Sequence, residues 1–270
     1  MKHLSLPDSS SFCMIEEGFG EPLVYLPGFP DVGSVSSGLL PFQKSLTQTN
    51  RVITLWPSAA GPESNGDFGG WSNINDVAFR YLWLMDELGL ERFSLVGHSL
   101  GAWIAAEISS WAPEKVKHLI LLSPAGIDLE QKITPDIFML AQPKNGFNRK
   151  DLRDLLFSDG DCEMAKGFFP DSPLDVNEEM RRFGMLRFAA LIGWTPAYLY
   201  HADLKNRLLR SKVPSIVING ADDRFIGPEY GQQFAQLLHA NHVVISGAGH
   251  AVHLESSELV AEKVKEFITM

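Results

Sequence analysis

The sequence predicts an α/β fold: a mostly parallel central sheet with helices on both faces and a helical insertion between two of its strands. Three observations carry that expectation. Short apolar runs rich in Val, Ile and Leu recur along the chain without strict alternation, as strands buried on both faces do. Stretches with helical spacing lie between several of them. One block, from about Asp128 to Leu209, is helical in composition and contains no good strand.

In order, the expected strands are Pro22 to Leu26, Val52 to Leu55, Phe93 to Val96, Leu119 to Leu122, Ser215 to Ile218 and His242 to Ile245. Asp76 to Leu88 places Val77, Phe79, Tyr81, Leu84, Met85 and Leu88 near one side of a helix that Gly89 can end. Leu100 to Trp111 is a second helix, stopped before Pro113. Glu255 to Ile268 is a third. The block from Asp128 to Leu209 has turn signals at Gln142-Pro143, Ser158-Asp159-Gly160 and Phe169-Pro170-Asp171-Ser172-Pro173. It also holds much of the bulky apolar content, including Phe138, Phe157, Phe168, Phe169, Phe183, Phe188, Trp194, Tyr198 and Tyr200. It reads as an insertion into one domain, so 1–127 and 210–270 form the expected core.

Composition narrows the function. Across 270 residues, 45% are hydrophobic and 21% charged, enough apolar material for a full core. Lys and Arg total 23 against 33 Asp and Glu, a formal net charge of -10. A negative surface repels phosphate backbones, so nucleic acid is not an expected partner. The densest basic group, Arg181, Arg182 and Arg187, reads as one helix. The two cysteines, Cys13 and Cys162, are far apart and lack metal-ligand spacing, so free thiols and a reducing compartment are expected. Met1 to Ser11 has no apolar core of a signal peptide, and no apolar run approaches the roughly 20 residues of a membrane span. The expectation is a cytoplasmic protein acting on a small molecule, away from membranes.

The strongest chemical signal is Gly97-His98-Ser99-Leu100-Gly101, a G-x-S-x-G pattern directly after one apolar run and directly before a helix. Such a turn strains its central residue and presents the hydroxyl at a helix N-terminus, where developing negative charge is favoured. A serine hydroxyl needs a base. His250, in the loop Gly247-Ala248-Gly249-His250 after the last strand, is the candidate, with His253 as its rival. The base needs a carboxylate to fix its tautomer, and Asn219-Gly220-Ala221-Asp222-Asp223 offers two after the preceding strand. An oxyanion needs backbone donors; the N–H of Phe29, in Leu26-Pro27-Gly28-Phe29-Pro30, and that of Leu100 are placed to supply them. The order Ser99, Asp, His250 belongs to one of the known serine triads and to neither of the other two.

Together these segments resemble the α/β-hydrolase superfamily, in its capped, single-domain esterase-like branch. Gly97 to Ala106 is similar to that branch's elbow and helix, and Leu119 to Gly126 to its next strand and loop. In Gly220-Ala221-Asp222-Asp223 the resemblance selects Asp223 as the acid, and Gly249-His250, followed by Glu255 and Glu258, selects His250 over His253. It implies an α/β-hydrolase fold in which 128–209 is a helical cap over the site. One departure is Pro27-Gly28, where the family's oxyanion segment usually begins H-G and the histidine buttresses the loop. Ser99 also differs from the aspartate that epoxide hydrolases and haloalkane dehalogenases carry at the elbow. Carbon–carbon bond hydrolases share the triad but often have an aromatic residue after the histidine, here Ala251. The expected chemistry is acyl transfer to water, which calls for no metal or organic cofactor; a receptor that keeps the triad to hold a ligand is the rival.

Overall fold

The computed structural model describes residues 1–29, 31, 38–61, 70–128, 149–172, 174–182, 184–193 and 200–270. An eight-stranded sheet runs through the core in the order β1-β2-β4-β3-β5-β6-β7-β8. Its strands are β1 (Lys2–Ser5), β2 (Ser11–Glu17), β3 (Glu21–Leu26), β4 (Asn50–Pro57), β5 (Phe93–His98), β6 (Val116–Leu122), β7 (Ser215–Gly220) and β8 (Asn241–Ile245). From β4 to β8 every neighbouring pair is parallel; β1 and β2 are antiparallel to their neighbours. The fold is the α/β-hydrolase fold.

The helices are α1 (Pro41–Leu46), α2 (Ile74–Glu87), α3 (Leu100–Trp111), α4 (Arg149–Leu156), α5 (Glu163–Phe168), α6 (Val176–Arg182), α7 (Gly184–Gly193), α8 (Leu204–Leu208), α9 (Gly227–Leu238), α10 (Val252–Glu255) and α11 (Ser257–Ile268). Asn73 starts α2 by accepting the Asp76 N–H at 3.0 Å, a side-chain cap. That helix buries Val77, Tyr81, Leu84 and Met85. Phe79 is a correction: two residues past Val77 it lies about 200° round the helix, exposed and against Trp83. α3 is buried almost throughout, and β5 entirely, so the two elements that flank Ser99 are the centre of the core.

Among the described residues, four helices, α4 to α7, and the short α8 lie between β6 and β7. Phe157 and Phe188 are fully buried there, Phe188 edge-on to Trp71. The Gln142-Pro143 turn, Pro173, Phe138, Phe183, Trp194 and Tyr198 lie outside the described residues, as does Pro30. The arginine cluster does not form one helix. Arg182 ends α6, and Arg187 lies in α7, which begins at Gly184. The C-terminal helix is also corrected. It begins at Val252 and breaks at Ser256, whose backbone (φ −126°, ψ 46°) is not helical. No helix among the described residues is long and apolar enough to cross a membrane.

Candidate active site

The groups singled out in the sequence gather at the carboxyl ends of neighbouring parallel strands, where an open α/β sheet exposes its loops. Ser99 follows β5. Its φ of 52° and ψ of −113° lie outside the ordinary regions for a residue with a side chain, the strain of a sharp strand-to-helix turn. Two glycines permit it. A Cβ on Gly97 would stand 2.3 Å from the Gly101 carbonyl oxygen, and one on Gly101 would stand 2.0 Å from that of Leu26. The Ser99 N–H donates to Leu122 O at 2.9 Å, and its own carbonyl accepts from Trp103 N. The turn is therefore tied to β6 on one side and to its own helix on the other.

Asp223 follows β7 and His250 follows β8. The Nδ1–H of His250 donates to Asp223 Oδ2 at 2.9 Å, both side chains fully buried. Asp223 Oδ1 accepts the N–H groups of Phe225 at 3.0 Å and Ile226 at 2.8 Å. Burial would raise this carboxyl's pKa, but the facing imidazole and the two backbone donors outweigh it and hold the pKa below the usual value. The neighbouring Asp222 is exposed and makes no such bond. Since an ionised carboxylate only accepts, His250 carries its proton at Nδ1, and its Nε2 presents a lone pair. That Nε2 is buried and has no hydrogen-bond partner among the described residues, so the Ser99 hydroxyl is not bonded to it here. The two loops nevertheless adjoin: His98 Nε2–H donates to the His250 carbonyl at 3.0 Å.

His253, the rival base, is fully buried and points elsewhere, with Nε2 3.5 Å from Asp31 Oδ1. Asp31 gave no signal in the sequence, because the partners that make it notable are distant along the chain. On the oxyanion side, a Cβ on Gly28 would stand 2.8 Å from Ser99 Cβ, so this loop lies directly against the elbow. The Phe29 ring packs on Phe169, just past α5, with centroids 5.5 Å apart. Leu100 opens α3, and the first N–H of a helix has no acceptor within it.

A clasp joins the insertion to these loops. The Arg224 guanidinium, next to Asp223, donates to the carbonyls of Asp154, Phe157 and Ser158, which lie at and just beyond the end of α4. A cation there satisfies orphan carbonyls and complements the helix dipole. Glu255 accepts from Ser158 N at 2.9 Å, from Ser158 Oγ at 2.6 Å and from Gly249 N at 2.7 Å. Ala251 N donates to Leu156 O at 2.9 Å.

A model described as the alpha/beta hydrolase family matches residues 23–263. The chain is 26% identical over 261 residues to the dihydrolipoyllysine-residue acetyltransferase component of the acetoin cleaving system of Pseudomonas putida; the match covers 92% of this chain and 64% of that protein, just under two thirds of its length. It is 25% identical over 255 residues to Karrikin insensitive 2 receptor IA of Petunia hybrida, covering 90% of this chain and 88% of the receptor. Among solved structures, an esterase from Exiguobacterium antarcticum superposes with a TM-score of 0.77 at 17% identity over 99% of each chain, a likeness of fold. The match runs from β3 into α11 and spans every segment that places a group at the site: the chain belongs to the alpha/beta hydrolase family.

Proposed function

We propose that this hydrolase works through Ser99, cleaving a small, apolar ester-type substrate by way of an acyl-enzyme. The observation that carries the reading is the His250–Asp223 bond, which fixes the imidazole tautomer and leaves a bare Nε2 on a loop that adjoins the strained serine turn. Ser99 Oγ attacks the substrate carbonyl while His250 Nε2 takes the hydroxyl proton. Asp223 holds the ring and stabilises the imidazolium. The N–H groups of Phe29 and Leu100 receive the oxyanion. His250 returns the proton to the departing alcohol; water then attacks the acyl group by the same path and frees the acid. The Phe29–Phe169 pair beside the oxyanion loop favours an apolar group on the substrate.

Two measurements test this. On a panel of esters, thioesters and lactones of varied chain length, Ser99→Ala should lower kcat by several powers of ten, on the order of 10⁶ in a well-studied serine protease. Activity within a few fold of wild type would remove Ser99 from the reaction. A fluorophosphonate probe should label Ser99 rapidly. Absent labelling, together with a tightly held small molecule, would instead favour the receptor reading that one relative's name suggests. Turnover of a vinylogous diketone but of no ester would favour carbon–carbon hydrolysis.

A further inference from the structure

We propose that Asp31 is the positioning residue of the oxyanion loop, a buried carboxylate that holds the Gly28–Phe29 turn in register with the serine turn and the histidine loop. The inference rests on the Ser99 reading above. Asp31 is fully buried, and four groups converge on it, two from its own stretch of chain and two from the serine turn and the histidine loop. Its Oδ2 accepts the Tyr25 hydroxyl from β3 at 2.7 Å and the Gly28 N–H at 2.9 Å. The same oxygen lies 3.4 Å from Nδ1 of His98, the residue before Ser99, while Oδ1 faces Nε2 of His253, three residues beyond His250, at 3.5 Å.

Three physical arguments give this hub its role. First, Pro27 has no N–H, so the Gly28 N–H is the first backbone donor of the turn. Its bond to Asp31 fixes the plane of the peptide immediately before the one that carries the Phe29 N–H. Second, the turn has no slack: a Cβ on Gly28 would lie 2.4 Å from the His98 carbonyl oxygen and 2.8 Å from Ser99 Cβ. A rotation of that peptide therefore moves the oxyanion donor relative to the nucleophile. Third, the proton inventory assigns the donors. His98 commits its Nε2–H to the His250 carbonyl, so when neutral its Nδ1 is bare. Among the described residues, Tyr25 O–H and Gly28 N–H donate to Asp31, and the Nε2–H of a neutral His253 faces it. Burial, with the nearby ring of His98, keeps His253 neutral, while at Asp31 burial is outweighed, chiefly by His253, so that its pKa stays below the usual carboxylate range.

Asp31, His98 and His253 also offer three ligand atoms within 4.8 Å of one another, the outline of a cation site. Donated protons from Tyr25 and Gly28 already converge on one carboxylate oxygen. That arrangement suits an anion satisfied by hydrogen bonds better than a metal ligand.

The test compares wild type, Asp31→Asn and Tyr25→Phe on the best ester of the panel. A displaced oxyanion donor weakens transition-state binding more than substrate binding. Asp31→Asn should therefore lower kcat by about 10- to 100-fold, with KM within about threefold. Affinity for a trifluoromethyl ketone, which forms an oxyanion on Ser99, should fall in parallel, and that for a non-reacting ester analogue should not. Tyr25→Phe removes one donor to Asp31 and should show the same split at smaller size, about two- to tenfold in kcat. It decides the matter if Asp31→Asn does not fold. An unchanged kcat in a folded variant, a loss confined to KM, or stoichiometric metal in the purified protein would overturn the proposal. Failure of the Ser99 reading looks different: wild type itself would then hydrolyse no ester and take no fluorophosphonate label.

Discussion

At the scale of single residues, the site depends on which nitrogen carries a proton. Asp223 fixes the His250 tautomer through one bond while two backbone N–H groups hold the carboxylate in place. Asp223→Asn would turn an amide N–H toward the ring and favour the wrong tautomer. We expect kcat to fall about 10⁴-fold with little change in KM, measured by steady-state ester hydrolysis; Asp222→Asn, at an exposed position, should change neither. The candidates Ser99, His250 and the pair Asp222–Asp223 stood out in the sequence because each lies in a glycine-containing loop after an apolar run, and the family resemblance picked Asp223 from the pair. Asp31 was not, since an aspartate three residues after a Pro-Gly turn looks like ordinary turn chemistry. Only the fold brings Tyr25, His98 and His253 to it.

At the scale of elements, the insertion is fastened at two places. The end of α4 is held by the Arg224 and Glu255 clasp. The insertion's exit is held by Glu107 of α3, which is fully buried and contacts Trp103 Nε1 at 3.3 Å, His201 Nδ1 at 3.1 Å and the Arg207 guanidinium of α8. Burial raises the Glu107 pKa, and the pull of Arg207 and His201 does not fully offset it. Arg207→Met would strand this carboxyl, and urea unfolding should show a loss of about 3–5 kcal/mol. Adding Glu107→Gln should recover much of that loss, because the amide is cheaper to bury than an unpaired charge. If Arg207→Met unfolds at the wild-type urea concentration, Glu107 is not held by that ion pair. Three long helices of the core, α2, α3 and α11, were readable from their spacing, and six of the strands from their apolar runs. β1 was not: Lys2–Ser5 has one apolar residue, and its pairing with β2 makes it a strand. α9 was missed because Gly227 and Pro228 look like loop, although Pro suits the first turn of a helix.

For the whole molecule, acid is the condition to which the buried site is most sensitive. Burial, reinforced by the ring of His98, lowers the His253 pKa to about 4, against about 6.5 in an unfolded chain. Between those values the unfolded state binds the extra proton, so stability falls as pH drops from about 6.5 to about 4, by at most ~1.4 kcal/mol per pH unit. Asp223 and Asp31, held below the ordinary carboxylate range, act with the same sign further down: what they contribute is present above about pH 4 and is lost as pH falls through their folded values. The urea midpoint should therefore begin to fall below about pH 6.5, and His253→Gln should flatten that first limb; a wild-type midpoint constant from pH 7 to 4.5 would contradict the neutral, buried state of His253. The clasp has a consequence for anyone recombining this chain with its relatives. Arg224 and Glu255 belong to the core, yet everything they grip in the insertion is main chain except one serine hydroxyl. At the clasp a foreign insertion can therefore differ in almost every side chain and still dock, provided a helix ends at the same place with a serine just beyond it and His201 and Arg207 are kept for Glu107. Altered selectivity is then better sought by exchanging the whole segment at that splice than by point changes along it.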